Sequence, residues 1–257
     1  MTVKKPNFFI AGAPKCGTTA LYEYLKTHPN IFMPRVKEPH YFYSHKEKMP
    51  YAMRSQEQYL RLYEDAPQSA FLLGDSSTSY VWDTPSLARI REFNSESKLI
   101  VMIRNPVEMV YALHSTFLWM GWEDELDFKK AWMLQEARES GENIPKLCED
   151  PALLRYRYIC MNGEHLHNLY KIFPTEQVMI IIFDDFIGDT LAVYKKALEF
   201  LGAPYDGKTH FPSANESRFW KHPLLPGILD MMKRPWAKFK KLVGVQETGL
   251  WALATAR

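Results

Sequence analysis

The stretch Ala11-Gly12-Ala13-Pro14-Lys15-Cys16-Gly17-Thr18-Thr19-Ala20-Leu21 constrains the fold of this chain more than any other. It follows the short apolar run Asn7–Ala11 (NFFIA), which reads as a buried strand ended by glycine. Beyond it, Leu21 and Leu25 lie four apart within Thr19–Thr27, and His28-Pro29 ends the pattern, which predicts a helix. Strand, tight loop and helix in this order are the setting in which a glycine loop can hold a phosphate. Gly12 and Gly17 have the spacing of the nucleoside-triphosphate loop G-x-x-x-x-G-K-[ST]. Thr18, however, stands where that loop carries its lysine, and Lys15 lies inside the turn. Backbone N–H groups at the turn and the helix N-terminus still make an anion cradle, to which Thr18 and Thr19 add hydroxyls and Lys15 a charge.

The rest of the chain repeats the alternation. Phe71–Gly74 (FLLG), Lys98–Ile103 (KLIVMI) and Gln177–Phe183 (QVMIIIF) read as further strands. One helix opens at Thr84-Pro85 and ends near Asn94. A second starts at Asn105-Pro106-Val107-Glu108, with a capping Asn, Pro at the first helical position and Glu at the third, and runs to about Met120. Much of Leu153–Phe173 reads as helix, as does Asp189–Leu201, closed by Gly202. Apolar strands alternating with helices predict an α/β fold, a parallel sheet covered on both faces. Ligands bind beyond the carboxyl ends of such strands. The Gly12–Thr19 loop, the Asp75–Tyr80 loop and Arg104-Asn105 all fall there and are expected to line one rim.

The 257 residues suit a single domain, 1–257. Two regions fit the sheet poorly. Residues 121–151 are acidic and are read as a mobile cover over the rim, or a solvated helical insertion. Residues 205–257 loosen into an irregular basic tail, in which Met231–Leu242 (MMKRPWAKFKKL) reads as a packed helix or, less simply, a membrane-surface element.

Composition excludes more than it assigns. A net charge of +2 gives no whole-molecule case for nucleic acid, so any anion site is local. No stretch approaches the roughly 18 apolar residues of an integral membrane segment, and the N-terminus has no signal-peptide core. Cys16, Cys148 and Cys160 are odd in number and far apart, which predicts neither a disulfide framework nor a zinc site, and a reducing, cytoplasmic setting. Cys16 reads as a small buried residue of the loop.

Phosphate-loop enzymes that use magnesium place an aspartate at the end of another strand. Here Lys98–Ile103 ends in Arg104-Asn105, and an arginine there suits a second phosphate held as a bidentate pair. Asp184 and Asp185 after the last strand keep a metal site open. A cradle at one strand end and an arginine at another describe a ligand with two separate phosphate-like ends. In Lys37-Glu38-Pro39-His40-Tyr41-Phe42 (KEPHYF), Glu38 beside an aromatic cluster is a candidate general base, and His40 a second.

Together these residues resemble the sulfotransferases that use 3′-phosphoadenosine-5′-phosphosulfate (PAPS), over about Asn7 to Ser217. APKCGTT is similar to that family's 5′-phosphosulfate loop, MIRNPVEMVYALHS to its 3′-phosphate segment, and KEPHYF to the glutamate-bearing element of the glycan O-sulfotransferase branch and its bacterial relatives. GDSSTSY at Gly74–Tyr80 and the block Phe173–Pro204 also fit. The resemblance implies PAPS as donor, adenosine 3′,5′-bisphosphate as product and no metal. It implies that Lys15 contacts the bridging oxygen, that Cys16, Gly17, Thr18 and Thr19 form the 5′-phosphate loop, and that Arg104 binds the 3′-phosphate. Glu38 would then deprotonate the acceptor for in-line attack. Three departures stand out. The family's serine eight residues after the arginine is Ala112, with Ser115 one turn on, about 4.5 Å along the axis, as its candidate substitute. The glycan enzymes' lysine near the second strand end is Ser76 or Ser77, and the chain lacks a clear counterpart of the closing basic loop. The acidic insertion and Trp82, Trp119, Trp122 and Trp132, read either as lying near the rim or in part as core or interface aromatics, favour in the first reading a small-molecule or lipid acceptor with an apolar or cationic part. The rival readings are a phosphate-loop kinase using ATP and magnesium, and a non-catalytic nucleotide-binding relative.

Overall fold

The computed structural model describes residues 4–213, and the basic segment Met231–Leu242 lies outside them. The described residues form two compact units, 4–103 with 165–213, and 104–164.

The first unit is built on a five-stranded parallel sheet in the order β2-β3-β1-β4-β5. Its strands are β1 (Phe8–Gly12), β2 (Ile31–Phe32), β3 (Leu72–Ser76), β4 (Lys98–Ile103) and β5 (Val178–Ile182). Every residue of β1 and β3 is buried, as a strand covered on both faces requires. β1 lies between β3 and β4, with Phe9 opposite both Asp75 and Leu99. The loops after β1, β3 and β4 therefore leave the same end of the sheet. The helices of this unit are α1 (Thr18–Lys26), α2 (Gln56–Arg61), α3 (Thr84–Phe93), and, beyond the second unit, α8, α9 and α10 given below.

The second unit contains α4 (Pro106–Met120), α5 (Phe128–Met133), α6 (Gln135–Glu139), α7 (Tyr156–Ile159) and the start of α8 (Asn162–Ile172). The chain then returns through β5 to α9 (Phe183–Gly188) and α10 (Thr190–Leu201). α4 starts and stops as its sequence requires. Asn105 Oδ1 accepts from Val107 N at 3.0 Å, and Gly121 closes the helix at φ 75°.

Three elements differ from expectation. β2 has only two residues, too few to show a period. The helical reading of Leu153–Phe173 breaks into three, a 3-10 turn ending at Leu154, α7 and α8, with Arg155 out of helical geometry at ψ 65° and a second interruption at Cys160. Asp184 and Asp185 lie in the first turn of α9, which follows β5 directly. The acidic 121–151 stretch folds around an inward charge. Arg138 donates to both oxygens of Glu123 at 2.7 and 2.6 Å, with both side chains fully buried. The Tyr156 hydroxyl donates to Glu123 Oε2 at 2.8 Å.

Candidate active site

The loop after β1 is shaped by two glycines. Gly12 has φ 147°, and a Cβ there would stand 2.4 Å from Val81 Cγ1 and 2.9 Å from the Thr78 carbonyl. Only glycine lets the loop after β3 come this close. Val81 N donates to Ala11 O at 2.8 Å, fastening the two loops together. Ala13 N donates to Met102 O at 2.6 Å, fastening the first loop to β4. Gly17 enters α1 at φ 87°, where a Cβ would press on the Phe183 ring at 3.1 Å.

α1 begins without a side-chain cap and without an acidic residue in its first turn. Its leading amides thus present partial positive charge that no carboxylate of that turn offsets. Lys15 is half-buried and holds a left-handed φ of 61°. Thr18 is buried and Thr19 half-buried, while Cys16 is fully buried with its thiol on the Pro14 carbonyl. Lysine, helix amides and threonines form a donor set that fits a phosphate group and its leaving charge.

Glu38 and His40 come together as a cluster. Lys37 Nζ donates to Glu38 Oε1 at 2.6 Å. Glu38 Oε2 accepts from Thr78 Oγ1 at 3.0 Å and lies 3.2 Å from His40 Nε2. The other ring nitrogen of His40 is 2.9 Å from Ser79 Oγ. His40 is buried, whereas the Glu38 side chain is 30% exposed. Burial works to raise the Glu38 pKa, but the Lys37 ammonium and the contacts with His40 outweigh it and hold the carboxyl well below the usual carboxylate range. Glu38 and His40 both have positive φ, 61° and 49°, a conformation disfavoured for side-chain-bearing residues. Thr78 links this cluster to the phosphate loop, since its hydroxyl holds Glu38 while its carbonyl sits over Gly12.

Sequence reasoning did not single out Lys37, Thr78, Ser79 or Asp75. Lys37 adjoins the glutamate in KEPHYF, and the other three belong to GDSSTSY, which was expected to line the rim as a loop without any of its side chains being given a role. Ser76 and Ser77, in place of the glycan enzymes' lysine, are both buried, and Ser77 is engaged with Asp75 and His40.

Within the second unit, Arg104 donates through Nε and Nη2 to Glu108 Oε2 at 3.0 and 2.8 Å. Its guanidinium is thereby oriented, with the side chain 22% exposed. Ala112 is half-buried one turn past Glu108, and Ser115 is only 7% exposed. The four tryptophans divide between the two readings. Trp82 and Trp122 are core residues, at 5.3 Å from the Tyr43 ring and 5.7 Å from the Phe117 ring, because their indoles fill space between packed elements. Trp119 alone of the four is largely exposed, at 66%. Among the described residues no three His, Cys, Asp or Glu side chains form a group that could hold a metal ion, and no helix is long and apolar enough to cross a membrane.

The family model of the sulfotransferase domain matches residues 5–222, and the chain belongs to that family. A solved sulfotransferase from Alicyclobacillus acidocaldarius is 26% identical and superimposes with a TM-score of 0.78 over 95% of this chain and 98% of that one. The sulfotransferase domain from the curacin biosynthetic pathway, 20% identical with a TM-score of 0.53 over 80% of this chain and 77% of that one, shares the fold. Carbohydrate sulfotransferase 15 of Mus musculus is 31% identical over 147 residues, 42% of this chain and 26% of that protein. Heparan sulfate glucosamine 3-O-sulfotransferase 3B1 of Mus musculus is 23% identical over 204 residues, 77% of this chain and 46% of that protein. The chain thus spans about a quarter to under half the length of these curated relatives. The fold is the phosphate-loop-like α/β fold of sulfotransferases.

Proposed function

We propose that the chain transfers a sulfonyl group from PAPS to a hydroxyl, or an amine, of a small-molecule or lipid acceptor, with Glu38 as general base. The observation that carries this reading is the joining of Glu38 to the phosphate loop through Thr78. A carboxylate kept ionised and part-exposed stands beside a cradle suited to a departing phosphate.

The donor supplies a sulfonyl group on a 5′-phosphate leaving group. Lys15 neutralises the charge that develops on that phosphate as the sulfur–oxygen bond breaks, and the α1 amides with Thr18 and Thr19 hold it. Glu38 accepts the proton of the acceptor hydroxyl as the new oxygen–sulfur bond forms. Its low proton affinity suits a loose transfer, in which the acceptor oxygen becomes strongly acidic late, once it bonds to sulfur. Arg104 supplies the charge for the 3′-phosphate.

Calorimetric titration with adenosine 3′,5′-bisphosphate in EDTA tests the donor class, with ATP and magnesium as the contrast. Metal-independent binding is expected, with ATP weak. Lys15→Ala is expected to abolish transfer while the protein stays folded, and Arg104→Ala to weaken bisphosphate binding by about 1.5–3 kcal/mol. Binding of ATP with magnesium in place of the bisphosphate would overturn the reading.

A further inference from the structure

Asp75 lies on β3 with no exposed surface, opposite Phe9 of β1. Its two carboxylate oxygens accept three hydroxyl donors. Ser77 Oγ donates to Oδ1 at 2.8 Å, and Tyr59 and Tyr80 donate to Oδ2 at 2.7 and 3.1 Å. Two of those hydroxyls also accept a backbone amide from the segment that bears Glu38. His40 N donates to Ser77 Oγ at 3.2 Å, and Phe42 N donates to the Tyr80 hydroxyl at 3.4 Å. A third amide of the segment, Glu38 N, donates to the Ser76 carbonyl at 2.9 Å.

The two relays have the same polarity. A hydroxyl that accepts an N–H must send its own proton elsewhere, and each sends it to Asp75. One buried carboxylate therefore sets the direction of both hydroxyls and, through them, holds the amides of residues 40 and 42. The segment needs such a hold, because Glu38 and His40 are both in the left-handed region. Burial raises the Asp75 pKa, while the hydroxyl bonds from Tyr59, Ser77 and Tyr80 work against that rise.

We propose that Asp75 is the positioning residue of the reaction, anchoring the Glu38 segment through paired hydroxyl relays by way of Ser77 and Tyr80. This rests on Glu38 being the base, and the anchor is tested separately from it. Asp75 touches neither acceptor nor donor in this role. An aspartate is required because it accepts on both oxygens. An asparagine would turn a donor toward one relay, and since a backbone N–H can only donate, that relay would break.

The test uses Ser77→Ala and Tyr80→Phe, each of which cuts one relay, alongside Asp75→Asn, which takes the acceptor from one of them. Amide hydrogen exchange, bisphosphate affinity and steady-state kinetics are measured on each. The expected result is faster exchange at His40 in Ser77→Ala and at Phe42 in Tyr80→Phe. With it, kcat should fall roughly 10- to 100-fold, as for a displaced catalytic group, while bisphosphate affinity is retained. Asp75→Asn should add little to the kcat loss of the Ser77→Ala, Tyr80→Phe double variant if it is soluble. If it does not fold, the two single variants decide the matter. Wild-type kcat in both single variants would overturn the positioning role, as would unchanged exchange at the two amides. Wild-type turnover in Glu38→Gln would instead overturn the base assignment, with the exchange result still reporting on the anchor.

Discussion

Two glutamates, one in each unit, meet a cation at hydrogen-bond distance, and they serve opposite ends. Glu123 is fully buried, gripped by both arms of Arg138, by Tyr156, and by the amides of Asp124 and Glu125 at 3.0 Å each. Glu38 is 30% exposed, touched by one flexible ammonium, a threonine and a histidine. For Glu123, as for Glu38, burial pushes the pKa up and the bonded partners bring it below the ordinary value of 4.5. A lowered pKa therefore does not mark a reactive carboxylate. What separates the two is exposure and backbone conformation. The planar fork of Arg138 fixes Glu123 in one geometry, whereas Lys37 is a point charge on a rotatable stem and can yield to an incoming hydroxyl. Only Glu38 sits at positive φ.

That contrast is open to breaking. The largest effect should come from Glu38→Gln, with kcat down roughly 10²–10⁴-fold, bisphosphate affinity unchanged and the melting transition little moved. Turnover near wild type would erase the distinction. Glu123→Gln should do the reverse. It leaves Arg138 buried beside a neutral amide, so denaturant unfolding should report a loss of about 3–5 kcal/mol, with turnover per folded molecule retained. A stable Glu123→Gln protein with poor turnover would mean that the second pair is functional as well.

The smallest effect is the most diagnostic. Both carboxyls have folded pKa values below their unfolded ones, so each contributes stability that is present above the unfolded pKa and lost as pH falls through the folded value. Glu38 should accordingly remain ionised, and competent as a base, well below pH 4.5 as far as its own titration is concerned. Lys37→Met removes the foremost lowering influence and leaves burial in place. The acid limb of the kcat profile should then move up by roughly one to three pH units. An unmoved limb would show that Lys37 does not govern Glu38.

Much of this was legible in the chain. The glycine spacing around Lys15 and the apolar runs placed β1, α1 and β4 nearly to the residue, since a strand buried on both faces and a glycine that must adopt positive φ leave local marks. KEPHYF marked its segment differently, as a carboxylate beside an aromatic cluster. The acidic stretch after Gly121 was less legible, because composition does not show which of its carboxylates turns inward to meet Arg138. Trp82 and Trp122 were open in the same way, since an indole reads alike in a core and on a rim.

The sequence by itself determined the α/β class and the glycine turn between β1 and α1, and it marked Glu38 and His40 as candidates, because these depend on backbone conformation and on spacing along the chain. Only the tertiary structure decided what surrounds Glu38. Thr78 meets Glu38, and Ser77 and Tyr80 meet the amides of His40 and Phe42, some 40 residues away, only because β2 pairs beside β3 and the chain leaves both at the same end of the sheet. No local pattern encodes that meeting; it arises from strand order, which is set by the packing of the whole sheet.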